Sequence, residues 1–150
     1  MNTFEEIIEF AIKQEEESAD FYRGLAERAK KPSMQKVFEE LVSQEEGHKK
    51  RLESVLTKHK APESKLTPDP DLKIADYQVE FNANKGEISY QDALILAMKR
   101  ELAAQQLYQD LINKTSNVEL KEILQFILEE EKKHKHSLEA EYDDKILTEN

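Results

Sequence analysis

Apolar positions recur along this chain at steps of three and four over four long stretches, the period of helices that bury one face. In the first stretch Ile8, Ile12, Ala19, Tyr22, Ala26 and Ala29 line up. The pattern predicts a helix that opens at Thr3, answered by Glu6 in a capping box, and runs to about Lys30, before Pro32. A second helix starts near Ser33, turns Val37, Leu41, Leu52 and Val55 inward, and ends around Lys58 to Lys60, where basic residues suit a helix C-terminus. A third begins at about Ser89, with Asp92 three residues on, and carries Ala93, Ala97, Ala104 or Gln105, Tyr108 and Leu111 inward. A fourth, capped by Ser116 with Glu119, presents Leu120, Leu124, Ile127, Leu138 and then Glu141 or Tyr142; the tail from Asp143 to Asn150 is expected to fray.

The connections differ in kind. The short loop around Lys114 to Asn117 makes the third and fourth helices antiparallel neighbours. Residues 61 to 88, with Pro62, Pro68, Pro70 and an NANKGE run, are far more than a tight helix hairpin needs, so a crossover is predicted there. Within it, Lys73 to Phe81 fits a short helix or an extended piece equally well. The expected architecture is all-α, a four-helix bundle forming one domain over residues 1–150.

Composition supports this and narrows the partners. Only 3 Gly and 4 Pro stand against 36% charged residues, which favours long helices with polar outer faces. A formal net charge of −10 argues against nucleic acid and anionic membrane surfaces and suits cations. With no Cys there is no disulfide, thiolate zinc site or iron–sulfur cluster, so a cytoplasmic location is expected. The acidic start MNTFEEIIEF does not read as a signal peptide, and no run of 18 apolar residues suggests a membrane span.

Each apolar seam is interrupted by groups that can bind metal. Glu15 lies on the first, Glu45 and His48 on the second, Glu101 on the third, and Glu131 and His134 on the fourth. A Glu-x-x-His pair sets carboxylate and imidazole one turn apart on a single face, yet one such pair in so acidic a chain is a common accident. Here the two pairs are offset by 86 residues, and the same offset relates Glu15 to Glu101 and Tyr22 to Tyr108. One Glu from each of two helices plus Glu-x-x-His from each of the other two is the pattern of a two-metal carboxylate bundle. Four clustered carboxylates in a core would repel one another and take up protons, and two divalent ions would neutralise them. Oxygen and imidazole donors suit iron or manganese, and zinc also fits. The other members of the acidic runs, such as Glu16 and Glu17, fall on outer faces, as do His59 and His136.

The segments AIKQEEESADFYRGLAERA, LVSQEEGHKKRLESV and ILEEEKKHKHSLEA resemble the first, second and fourth helices of the ferritin-like superfamily, and within it the rubrerythrin-like di-iron proteins. The resemblance implies an up-down-down-up bundle with a long crossover between the second and third helices, and two iron ions. By it, Glu15 and Glu101 would be terminal ligands, Glu45 and Glu131 would bridge the ions and carry the catalysis, and His48 and His134 would each cap one ion. Tyr22 and Tyr108, which the pattern alone would accept as core packing, would by resemblance hydrogen-bond the carboxylates around the metals. Two departures stand out. Rubrerythrins add a rubredoxin-type iron site held by four cysteines, so here electrons would have to come from an external redox protein. They also carry an additional Glu three residues after the third-helix ligand, which takes part in their peroxidase mechanism, and this chain has Ala104 there.

The expected activity is an oxidoreductase that reacts with hydrogen peroxide or dioxygen, of peroxidase or ferroxidase type, and a homodimer is the assembly the resemblance implies. The competing readings are a bundle that binds or sequesters iron without turnover, or that the ions merely hold together, and a bundle serving chiefly to dock a partner.

Overall fold

The computed structural model describes residues 4–59 and 86–147. Four helices account for nearly all of them: α1 (Phe4–Arg28), α2 (Pro32–His59), α3 (Tyr90–Lys114) and α4 (Val118–Tyr142). Pro32 opens α2, where its fixed φ already matches the helix and its missing N–H would have had no partner. Ser89 caps α3, its hydroxyl accepting from the Asp92 amide at 3.1 Å. The expected Thr3 cap on α1 lies outside the described residues.

Two expectations at α4 are corrected. The cap is Asn117 rather than Ser116: the Asn117 side-chain oxygen accepts from the Leu120 amide at 2.9 Å, while the Thr115 hydroxyl accepts from the Asn117 amide at 3.1 Å. The helix therefore starts one residue later, and Ser116 is left exposed in the turn. Past Tyr142 the chain does not fray at once. Asp143–Leu147 adds a π-helical turn, held because Ile146 packs beside Tyr142 on the core.

Two apolar clusters fix the topology. One joins Ile7, Ile8 and Ala11 from the start of α1, Leu52 from the end of α2, Leu107 and Leu111 from the end of α3, and Leu120, Leu124 and Ile127 from the start of α4. The other joins Leu25 and Ala29 at the end of α1, Met34 and Phe38 at the start of α2, Ala93 and Leu94 at the start of α3, and Leu138 near the end of α4. The helices thus run up, down, down, up, as in ferritin-like bundles. The chain leaves α2 at one end and enters α3 at the other, so the connection must cover the length of a 25-residue helix, about 37 Å. The residues of the predicted crossover up to 85, with the undecided 73–81 stretch, lie outside the described residues. Its last part is described: Gly86, at φ +71, is followed by Ile88, which pairs with Ala29 as an isolated parallel bridge, its amide donating to the Arg28 carbonyl at 3.1 Å.

The buried face of each helix is wider than a single seam. In α1 it takes in Ile7, Ala11, Gln14, Ser18 and Leu25 beside the expected Ile8, Glu15, Ala19, Tyr22 and Ala26, while Ile12 is half-buried. Phe38 on α2 and Leu94 and Leu107 on α3 are fully buried for the same reason: a bundle helix faces two neighbours. Between the two apolar clusters lies a polar layer.

Candidate metal centre

Every side chain proposed from the sequence as a ligand reaches this layer. Glu15, Glu45, Glu101 and Glu131 are at most 1% exposed, and His48 and His134 are 5% and 7% exposed. They form two groups, Glu15–Glu45–His48–Glu131 and Glu45–Glu101–Glu131–His134, and within each the donor atoms lie within 4.8 Å of one another. Donors on opposite sides of an ion with bonds of ~2.1 Å stand about 4.2 Å apart, so each group needs only a small contraction to close on a metal. Glu45 and Glu131 belong to both groups, as side chains shared between two ions must.

The geometry repeats across the two halves. His48 Nδ1 lies 3.6 Å from Glu15, 3.4 Å from Glu45 and 3.2 Å from Glu131. His134 Nδ1 lies 3.5 Å from Glu45, 3.6 Å from Glu101 and 3.8 Å from Glu131. The two imidazoles stack with centroids 5.8 Å apart and planes 13° apart, so both nitrogens turn toward the same carboxylates. The tyrosines cross over between helices: Tyr22 of α1 donates to Glu101 of α3, and Tyr108 of α3 donates to Glu15 of α1. Each thereby fixes one oxygen of a carboxylate and leaves the other turned to the centre.

The rubrerythrin family model matches residues 6–142. The chain belongs to the rubrerythrin family. Two solved structures share its fold. A hypothetical protein from Pyrococcus furiosus is 24% identical with a TM-score of 0.72, over 94% of this chain and 89% of that one. A Thermotoga maritima protein, named as a candidate ferritin-like diiron-carboxylate protein, is 21% identical with a TM-score of 0.68, over 97% of each chain. No curated protein matches at a significant level.

The residues of this rubrerythrin-family chain fit a pair of metal ions on a test independent of the family. Both oxygens of Glu45 and of Glu131, the free oxygen of Glu15 and of Glu101, and Nδ1 of His48 and of His134 are buried without a hydrogen-bond partner. Unpartnered buried donors are costly, each on the order of 1–3 kcal/mol and more when charged. A centre with so many of them, all convergent, is built for something that accepts lone pairs.

Without metal, protons must do that work. Burial and the neighbouring Glu45 carboxylate push Glu15 up from 4.5 to about 8. Burial, then Glu101 and Glu45, drive Glu131 well above the usual carboxylate range. Burial opposes ionisation of Glu45 too, but close contact with His48 and Glu131 outweighs it and holds that group at about 2. For His48, burial favours the neutral ring, yet Glu15 and Glu45 raise it to about 10; His134 is raised likewise, chiefly by Glu101. The tyrosines stay protonated, pushed up first by burial and then by Glu101 for Tyr22 and by Glu15 for Tyr108, so both remain donors.

Three polar residues at this level were not expected. Gln14 and Ser18 are 1% exposed and Arg100 is 3% exposed. They bridge α1 and α3, the Arg100 guanidinium donating to the Ser18 hydroxyl at 2.6 Å and to the Gln14 carbonyl at 3.4 Å. Arg100 and Gln14 each directly precede a carboxylate of the centre and stand 86 residues apart, so the repeat that exposed the ligands also pairs these two. His136 and Glu16 are exposed, as expected, and Glu17 is half-buried outside the layer. Ala104 is 2% exposed and adds no donor. The side chain of His59 lies outside the described residues.

Proposed function

We propose that the chain holds two iron ions between its four helices and works as an oxidoreductase on hydrogen peroxide or dioxygen, drawing electrons from an external donor. The observation that carries this reading is the set of convergent, buried, unpartnered donors shared through Glu45 and Glu131. Glu15 with His48 would complete one ion's surroundings and Glu101 with His134 the other's. Two iron ions so held would supply the one-electron steps that reduction of peroxide or dioxygen requires. The chain's own part is to hold the donors still and keep the site dry. Tyr22 and Tyr108 orient the terminal carboxylates, the apolar clusters on either side exclude water, and the raised groups release their protons as metal enters. With no Cys in the chain, no second redox centre of the thiolate type can relay electrons internally.

Metal analysis of the protein as isolated is expected to find roughly two iron ions per chain, following the two-metal carboxylate pattern. Peroxide reduction or ferrous oxidation by the loaded protein should be abolished in Glu45→Ala and Glu131→Ala. A protein with no affinity for iron would overturn the reading. A second reading, iron binding without turnover, is favoured by Ala104, which leaves the centre without an extra carboxylate. Stoichiometric iron and no turnover with either oxidant would decide for it.

A further inference from the structure

The 86-residue repeat also relates the outer faces of the bundle, and there the two halves part. Between α2 and α4, one turn along α2 from His48, the Arg51 guanidinium lies 4.2 Å from the centre of the Phe126 ring. Arg51 corresponds to Ser137 and Phe126 to Glu40. Over His134 the same seam is therefore lined by a hydroxyl and a carboxylate, and it opens as a hollow of about 220 Å³ bounded by Glu40, Leu41, Gln44, His134, Ser137 and Glu141, among others. At the ~30 Å³ each water occupies in the liquid, the hollow has room for about seven, the size of a divalent ion with a six-water shell.

We propose that divalent metal ions reach the centre through this hollow over His134. The inference rests on the two-metal reading above. Its inner wall is His134, 7% exposed, whose buried Nδ1 has no hydrogen-bond partner and lies 3.5–3.8 Å from Glu45, Glu101 and Glu131. At the rim Glu40 is exposed, and Glu141 is half-buried and held by the Tyr90 hydroxyl at 2.7 Å. Among the described residues no Lys or Arg lines it. Another groove that touches a member of the centre, about 290 Å³ between α1 and α2 beside Glu15, mixes Glu16, Asp20, Glu46 and Glu53 with Arg23, Lys49 and Lys50. There Arg23–Glu46 at 2.6 Å and Lys49–Glu16 at 3.0 Å tie the two helices together across the groove. In that groove the cations stand among the carboxylates and engage Glu46 and Glu16, whereas the described lining of the hollow over His134 offers carboxylate, amide and hydroxyl oxygens with no competing cation.

The test follows cobalt(II) uptake by metal-free protein, read by absorbance in a stopped-flow mixer, together with cobalt bound at equilibrium. The double variant E40F/S137R places the Arg51–Phe126 pairing at the corresponding positions beside His134. It is expected to slow uptake roughly tenfold or more while binding the same amount of cobalt. The milder E40Q/E141Q keeps the shape and removes the charge. It should slow uptake several-fold and flatten its dependence on ionic strength, within the roughly 10- to 1000-fold range of electrostatic focusing. Unchanged uptake in E40F/S137R at full cobalt occupancy would overturn the route. Should that variant not fold, wild-type rate and salt dependence in E40Q/E141Q would overturn it instead. Wild-type protein that binds no cobalt or iron at equilibrium would overturn the two-metal reading itself, and the route with it.

Discussion

The half of the molecule built from α1 and α2 and the half built from α3 and α4 agree at every convergent donor and at a few core and surface positions, such as Leu52 with Leu138 and Lys49 with Lys135, but differ at most positions around them. Glu15 matches Glu101, Tyr22 matches Tyr108, and the two Glu-x-x-His pairs match, all at one offset. One residue away, Gln14 faces Arg100; one turn on, Ser18 stands where the other half has Ala104; outside, Arg51 stands where the other has Ser137. All the convergent donors of the polar layer and both tyrosines are held in common, while most of what has diverged bears on helix packing, local charge and access.

The strongest way to break this comparison is to remove a shared donor and an unshared one in parallel. Glu131→Ala is expected to lower affinity for both ions by more than ~100-fold, whereas Glu15→Ala and Glu101→Ala should each spare one ion. Metal content of dialysed protein reads the outcome, and loss of both ions in all three variants would show that the halves do not act as separate sets.

Metal removal comes next. With free metal at 100 to 1000 times the dissociation constant, binding contributes about 3–4 kcal/mol, so chelation should lower the melting temperature by roughly 10 °C. An unchanged midpoint in protein shown to be metal-free would contradict a centre that metal stabilises. The metal-free protein should also respond to pH. Glu15 is raised from 4.5 to about 8 and His48 from 6.5 to about 10, and Glu131 and His134 shift the same way. Between about pH 4.5 and 10 the folded chain therefore binds more protons than the unfolded one, and its stability falls as pH rises. Glu45, lowered to about 2, acts oppositely, and its contribution is lost as pH falls below 4.5. Melting curves should thus decline from pH 5 to pH 9 without metal and stay nearly level with it, because the metal displaces those protons.

Smaller effects test the symmetry more finely. Tyr22→Phe and Tyr108→Phe each remove one donor to a terminal carboxylate and should weaken metal binding by ~10- to 100-fold, to similar extents. A large inequality measured by competition with a chromophoric chelator would show that the environments, not the repeat, set affinity. Smallest of all, Phe126→Ala removes a ring that is 38% exposed beneath Arg51 and should cost about 1 kcal/mol in denaturant unfolding, with no counterpart at Glu40.

The candidate ligands were legible in the sequence because they repeat at one spacing and interrupt apolar seams, and the resemblance added the part of the tyrosines. The short loop at Lys114–Asn117 and the long one after α2 predicted an antiparallel pair and a crossover, and the resemblance to ferritin-like bundles supplied the up-down-down-up order. Arg100, Gln14 and Ser18 were not legible, since a polar residue about 100° around the helix from the seam reads as outward until a second neighbouring helix is known to cover it. The α4 cap was misplaced by one residue because Ser116 and Asn117 can both cap, and only the turn held by Thr115 decides. Ile146 continues the Leu138–Tyr142 seam at a step of four, but the charged run Asp143–Lys145 before it reads as a helix end.

The tyrosine exchange between α1 and α3 bears on the order in which the molecule is made. Neither hairpin alone carries all four donors of either group, because each group draws on α2 and α4 together and each terminal carboxylate is oriented by a tyrosine from the opposite hairpin. A chain emerging during synthesis holds α1 and α2 long before α4, and in that interval offers Glu15, Glu45 and His48 without Glu131, the fourth member of their group. Tight capture of an ion must wait until the second hairpin docks, so an occupied centre reports that the bundle has closed.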